Sequence, residues 1–262
     1  MTIEQIKPSL AEAGKIKIGE LGEERTSKAG NKWRRPKKLD YFRVTRTTRD
    51  ASGNFAEDTS IMGELPLDED GKCRRIPVQL PFDDPAANFA TAYAAYSGKT
   101  LACHGDGLVA IRHKIEGGKR TGATKRVECP CDYLDSKKCK PTGRLSVMID
   151  LPGHRTLGAA HVWRTTSRVS ISQMEGSMQT ITAALGGRLA GHPMWLVLVE
   201  IHNERGNFWC CHLELRESDI GTRVAIGAVD AAPMPTIDAL PESTHAEIAE
   251  EFYPEAEKGP YR

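Results

Sequence analysis

The sequence predicts an α+β protein: an antiparallel sheet with a long helix on one face, beside a smaller basic lobe rich in cysteine. Residues 144–151 (RLSVMIDL), 159–166 (AAHVWRTT), 194–201 (MWLVLVEI) and 207–215 (NFWCCHLEL) have the alternating, β-branched and aromatic make-up of strands. Between the second and third of these, Ile171, Met174, Met178, Ile181, Leu185 and Leu189 recur at the period of an amphipathic helix. Residues 101–143 hold Cys103, Cys129, Cys131 and Cys139 in turn-rich polar sequence, too poor in apolar side chains to build a core.

The chain has 262 residues, enough for one large domain or two small ones. The expected division is 1–100, N-terminal strands and a basic loop packed on the core; 101–143, the cysteine-rich lobe; 144–215, the sheet–helix core; and 216–262, an extended or partly disordered tail.

In chain order, a short helix is expected at 9–13, a strand at 15–19, and a polar, glycine-containing basic loop at 22–36. LDYFRVTRT (39–47) reads as a strand, 64–72 as an acidic loop and RIPVQL (75–80) as a short strand. NFATAYAAYSGK (88–99) fits a helix of two to three turns closed by Gly98. Residues 101–103 and 108–113 are expected to form a hairpin about the His104–Gly107 turn. GGKRTGATKR (117–126) is expected to be a mobile excursion. For the long helix, Ser170 is the expected N-cap and Gly191-His192-Pro193 the end.

What could order residues 101–143 follows from their chemistry. Soft thiolates on closely spaced turns suit tetrahedral zinc. Cys129-Pro130-Cys131 and Cys139 supply three ligands, and Cys103 a fourth, with His104 as the alternative. The Cys-x-Cys arm is tighter than the usual Cys-x2-Cys, and ordinary buried thiols are the competing reading. Glu128, Asp132, Asp135, Ser136, Lys137, Lys138 and Lys140 surround the cysteines with polar groups, which free structural thiols do not favour. An all-thiolate site is closed, so the expected Zn2+ is structural and performs no chemistry.

Net charge is +1, but its distribution is uneven. Residues 1–50 carry thirteen Lys and Arg against seven Asp and Glu, residues 110–144 ten against four, and residues 228–262 two against eight. Lys32, Trp33, Arg34, Arg35, Lys37 and Lys38 combine an aromatic with cations, a composition that stacks on bases and pairs with phosphates. Lys119, Arg120, Lys125 and Arg126 are expected near the cysteines. Together these residues are the candidate surface for nucleic acid or a protein partner, with solvated charged faces as the bland alternative.

No apolar run approaches the length of a membrane span, and the first residues lack the pattern of a signal peptide. Seven cysteines, two of them adjacent, do not read as a disulfide framework, so the expected location is the cytoplasm. The sequence has no Gly-x-Ser-x-Gly, His-Glu-x-x-His or Walker motif, and its histidines are scattered. The expectation is a non-catalytic binding protein; a metal-dependent hydrolase is the enzyme alternative.

The residues carry a family resemblance. Arg35-Pro36 followed by LDYFRVT, the LACHGDG turn, CPCDYLDSKKCKPTGRLSV, and VWRTTS followed by a helix and GHPMWLVL resemble the recombination directionality factor-like family of phages and mobile elements. The resemblance spans roughly residues 15–215 and is most specific in the cysteine segment. It implies a metal-binding accessory protein that binds a large serine integrase and turns it from integration towards excision, with Cys103, Cys129, Cys131 and Cys139 as zinc ligands. A module that contacts single-stranded DNA, RNA or a nucleoprotein complex directly is the competing reading.

Overall fold

The computed structural model describes residues 9–26, 30, 32–51, 53–136, 138–203 and 206–216, without the side chains of residues 32, 33, 35 and 203. The expected acidic tail, beyond Arg216, lies outside them. Described strands are β1 (Ala11–Thr26), β2 (Lys32–Arg49), β3 (Phe55–Glu57), β4 (Arg75–Gln79), β5 (Phe89–Ser97), β6 (Thr100–Gly105), β7 (Val109–Glu116), β8 (Lys119–Glu128), β9 (Cys139–Ile149), β10 (Ala159–Thr165), β11 (Pro193–Asn203) and β12 (Gly206–Leu215). Helices are the single turns α1 (Thr59–Met62), α2 (Pro85–Asn88) and α3 (Asp132–Asp135), and the 17-residue α4 (Arg168–Ala184).

This corrects the expected fold class. The described chain is mostly strand, and its pairing is mixed. In place of an antiparallel sheet with a long helix over one face, β1 runs parallel to β10, from Ala11 opposite Ala159 to Ile16 opposite Trp163.

The chain divides into two compact units. The first comprises Met1–Glu20, Lys38–Ala90 and Arg144–Met234. Its strands neighbour one another in the order β3-β2-β1-β10-β9. β4 joins β9 and β11, and β11 forms a ten-pair antiparallel hairpin with β12. Alternation sends Ile16, Trp163, Leu145, Val147 and Ile149 into one core with Phe42, Val44, Leu196, Leu198 and Leu213. Met174, Met178 and Ile181 of α4 enter the same core.

The helix begins at Ser167, whose Oγ accepts from the Ser170 amide at 3.3 Å, and not at the expected Ser170. Ser170 is buried, and its Oγ accepts from the Cys211 amide. After Leu185 the chain passes through Gly186 and Gly187, both at positive φ, and Gly187 N donates to Thr182 O, a Schellman-type close. Leu189 therefore joins the core from beyond the helix.

The second unit comprises Leu21–Lys37, Thr91–Gly143 and Pro235–Arg262. Its described strands β5, β6, β7 and β8 pair antiparallel in chain order. Four expectations fail, here or in the first unit. Of residues 88–99, where a helix was expected, Phe89–Ser97 form strand β5. Asn88 is buried at the end of α2, its amide donating to Phe82 O (2.7 Å) and Asp84 O (3.0 Å), and Ala94, Ala95 and Tyr96 are buried in the ladder to β6. Strand pairing here overrides the helix propensity of the alanines. The expected mobile excursion is strand β8, turned back on β7 at Gly117-Gly118, both at positive φ as a two-residue hairpin turn requires. The expected helix at 9–13 and loop at 22–36 give way to β1 and β2, with residues 27–29 and 31 outside the described set. No described helix is long and apolar enough to cross a membrane.

Candidate functional site: a cysteine–arginine cluster

In the second unit, register decides which side chains meet. Cys103 on β6 lies opposite Ala95 on β5 and Arg112 on β7, Arg112 lies opposite Lys125 on β8, and Ala110 lies opposite Val127. Directly paired residues share a face, as do residues two apart. Ala95, Cys103, Ala110, Arg112, Lys125 and Val127 therefore project to one side. Cys129 follows β8, its amide donating to Leu108 O at 3.0 Å. The Cys129–Pro130 peptide is cis, Cys131 caps the turn α3, and Cys139 opens β9. Ala95, Cys103, Ala110 and Cys129 form a small buried cluster, with Val127, Tyr133 and Cys139 packed against it.

Arg112 ties in the fourth sulfur. Its Nη2 donates to Cys131 Sγ at 3.3 Å and to Asp132 Oδ1 at 3.0 Å, while the guanidinium lies 3.9 Å over the Tyr133 ring. Burial above all pushes up the pKa values of Cys103, Cys129 and Cys139; Arg112 opposes it at Cys103 and Cys139, and neighbouring thiols add to it. The Cys139 thiol is pushed up to about 12. Near neutral pH these three thiols are thus protonated unless a stronger positive charge joins them.

That chemistry fits zinc in donor type and number: four soft sulfurs near one patch, where neighbouring thiols raise the cost of ionising Cys103, Cys129 and Cys139, a cost a divalent cation reverses. Among the described residues, no group of three or more His, Cys, Asp or Glu side chains is disposed to hold an ion as it stands. His104, the alternative ligand, projects to the opposite face, opposite Ile111 and stacked on His113 with ring centroids 5.5 Å apart.

The same register separates the candidate basic residues. Lys125 stands beside Arg112 on the cysteine side, and Arg126, opposite Ile111, belongs to the histidine side. Lys119 and Arg120 lie beyond a register shift, opposite Glu116 and Ile115. Arg34 approaches Glu24 at 3.9 Å, and Lys37 and Lys38 are exposed. The side chains of Lys32, Trp33 and Arg35 lie outside the described residues. Sequence reasoning counted Arg112 only as part of a basic stretch and missed Tyr133.

Fold and cluster together define a strand-built protein whose clustered cysteines and arginine lie on a hairpin lobe. A family model described as Gp3-like, recombination directionality factor-like, matches residues 13–216. The chain belongs to the recombination directionality factor-like family. A search of the curated proteins finds no match to it.

Proposed function

We propose that the chain is a zinc-stabilised, non-catalytic accessory protein of DNA recombination that binds a large serine integrase and biases it towards excision. The observation that carries this reading is the family match across residues 13–216. The role needs no reactive group of its own. It needs unequal affinity for two arrangements of the recombinase on its two kinds of DNA site. Moving such an equilibrium from 1:99 to 99:1 takes roughly 10⁴-fold tighter binding to one arrangement, about 5.5 kcal/mol.

In this reading Cys103, Cys129, Cys131 and Cys139 hold the metal, and the metal's contribution is to fix the turns that follow β8. Arg112 then bonds to ligand sulfur from outside and stays anchored on Asp132 and Tyr133. The test is reconstituted recombination by the integrase of the same mobile element, with excision and integration substrates assayed in parallel. Added chain should raise the excision product and depress integration. An unchanged ratio at saturating chain rejects the role.

The second reading is direct contact with nucleic acid, favoured by the exposed Lys119, Lys125 and Arg126 on β8. It requires binding to DNA or RNA alone that falls steeply as salt is raised. Salt-insensitive binding, or none, leaves the integrase reading in place.

A further inference from the structure

A second charged cluster lies in the first unit, apart from the cysteines and independent of the role proposed above. On the face of β1, β10 and β9 turned away from Ile16 and Trp163, three cations converge on one carboxylate. Glu12 on β1 accepts from Arg164 of β10 at 2.8 Å, lies 3.6 Å from Arg144 of β9 and pairs with Lys15. The side chains of Lys15, Arg164, Arg144 and Glu12 are 5%, 7%, 15% and 17% exposed, so the group is recessed but opens along Arg144 and Glu12.

The guanidinium charges are not balanced by their shared partner: Arg144 and Arg164 both lean on the one Glu12 carboxylate. Among the described residues the Nε atoms of both Arg144 and Arg164 are buried without an acceptor. Burial and the adjacent Arg164 hold Arg144 down at about 10, as crowding of like charge requires. Buried guanidinium N–H groups without acceptors are costly, and a net positive charge in a recess is costlier still unless an anion completes it.

We propose that Arg144, Arg164 and Lys15 form an oxyanion site that takes a phosphate group, with Glu12 holding the cations in place. Phosphate fits for two reasons. Guanidinium groups present planar N–H donors that match its oxygens, and its charge at neutral pH matches the excess of the cluster. The group could arrive as free phosphate or as the terminal phosphate of a nucleic-acid strand.

The test uses the full chain at constant ionic strength. Inorganic phosphate is titrated against chloride while the melting temperature and binding heat are followed. A 5′-phosphorylated oligonucleotide and the same oligonucleotide without its phosphate form the second arm. Phosphate should stabilise the wild type saturably where chloride does not, and Arg144→Gln, at the open side, should weaken binding about tenfold or more. Glu12→Gln removes the competing carboxylate and should keep or tighten binding, a result that a purely structural ion cluster would not give. Stabilisation by inorganic phosphate identifies a free or small-molecule source; preference for the 5′-phosphorylated strand alone identifies a nucleic-acid end. Equal effects of phosphate and chloride, with no preference between the oligonucleotides, overturn the proposal. So does an Arg144→Gln protein that binds phosphate as the wild type does.

Discussion

Arg112 acts on Cys103 and Cys139 through its charge and bonds to Cys131, and its removal separates two roles for that patch. If the sulfurs bind zinc, Arg112→Ala should leave about one metal per chain but weaken its retention by 10–100-fold, as loss of an outer-shell partner does. Competition with a chelator measures this. Cys131→Ser should instead abolish the bound metal and, because binding and folding are coupled, much of the protein's solubility, seen in metal content per chain and soluble yield. A wild type that carries no metal after purification without chelators would leave the patch as a thiol cluster around an arginine.

Gly105 is a second decisive residue. A Cβ there would stand 2.5 Å from Val109 O and 2.6 Å from Ala110 Cβ, so β6 and β7 approach closely only because the side chain is missing. Gly105→Ala should cost ~1–3 kcal/mol by overpacking and speed hydrogen exchange along β6 and β7 next to Cys103. The four cysteines were legible as a set because their ligand chemistry is independent of fold. Arg112 was not, because its importance comes from standing opposite Cys103, and register between strands leaves no mark in the sequence of either one.

At the scale of elements, legibility followed burial. Strands β9, β10, β11 and β12 announce themselves because apolar, β-branched residues fill the faces that meet the core. β8 is polar along most of its length, KRTGATKRVE, and is held mainly by pairing with β7, so composition alone could not distinguish it from a loop. β5 failed for the opposite reason: its alanines favour a helix in isolation, and only neighbours on both sides make it a strand. Helix α4 was found by its period, and its start at Ser167 gives a direct test. Ser167→Ala should cost about 1 kcal/mol in denaturant unfolding by freeing the Ser170 amide. The same substitution at exposed Ser136, whose Oγ bonds only within its own turn, should cost less.

For the molecule as a whole, buried titratable groups in the first unit set the response to acid. Burial lowers the pKa of His161 below the ordinary 6.5, with Asp58 and Glu12 opposing less strongly. The unfolded chain therefore binds the proton first, and the stability that neutral His161 contributes is present above 6.5 and lost as the pH falls below it. At Glu12, burial acts to raise the carboxyl, but Arg164, Lys15 and Arg144 outweigh it and hold the group below 4.5. That contribution is kept above 4.5 and lost as the pH falls towards the folded value. Unfolding free energy measured from pH 8 to 3 should thus decline in two stages, and His161→Gln should flatten the first. An unaltered slope between pH 7 and 5 in that variant would show that His161 does not set it.

The parallel pairing of Ala11 with Ala159 has a consequence for how the polypeptide is made. On a ribosome, the first strand emerges and must wait for roughly 150 further residues before its neighbour exists, a long loop to close and a slow one. Within the ladder from Phe89 to Glu128 each strand pairs with the next one in sequence, and the ladder is fully translated well before Ala159 appears. The nascent chain thus has its cysteine-bearing meander available to form while the larger unit still lacks its closing strand, and that interval is when a protease or a holdase would find it open.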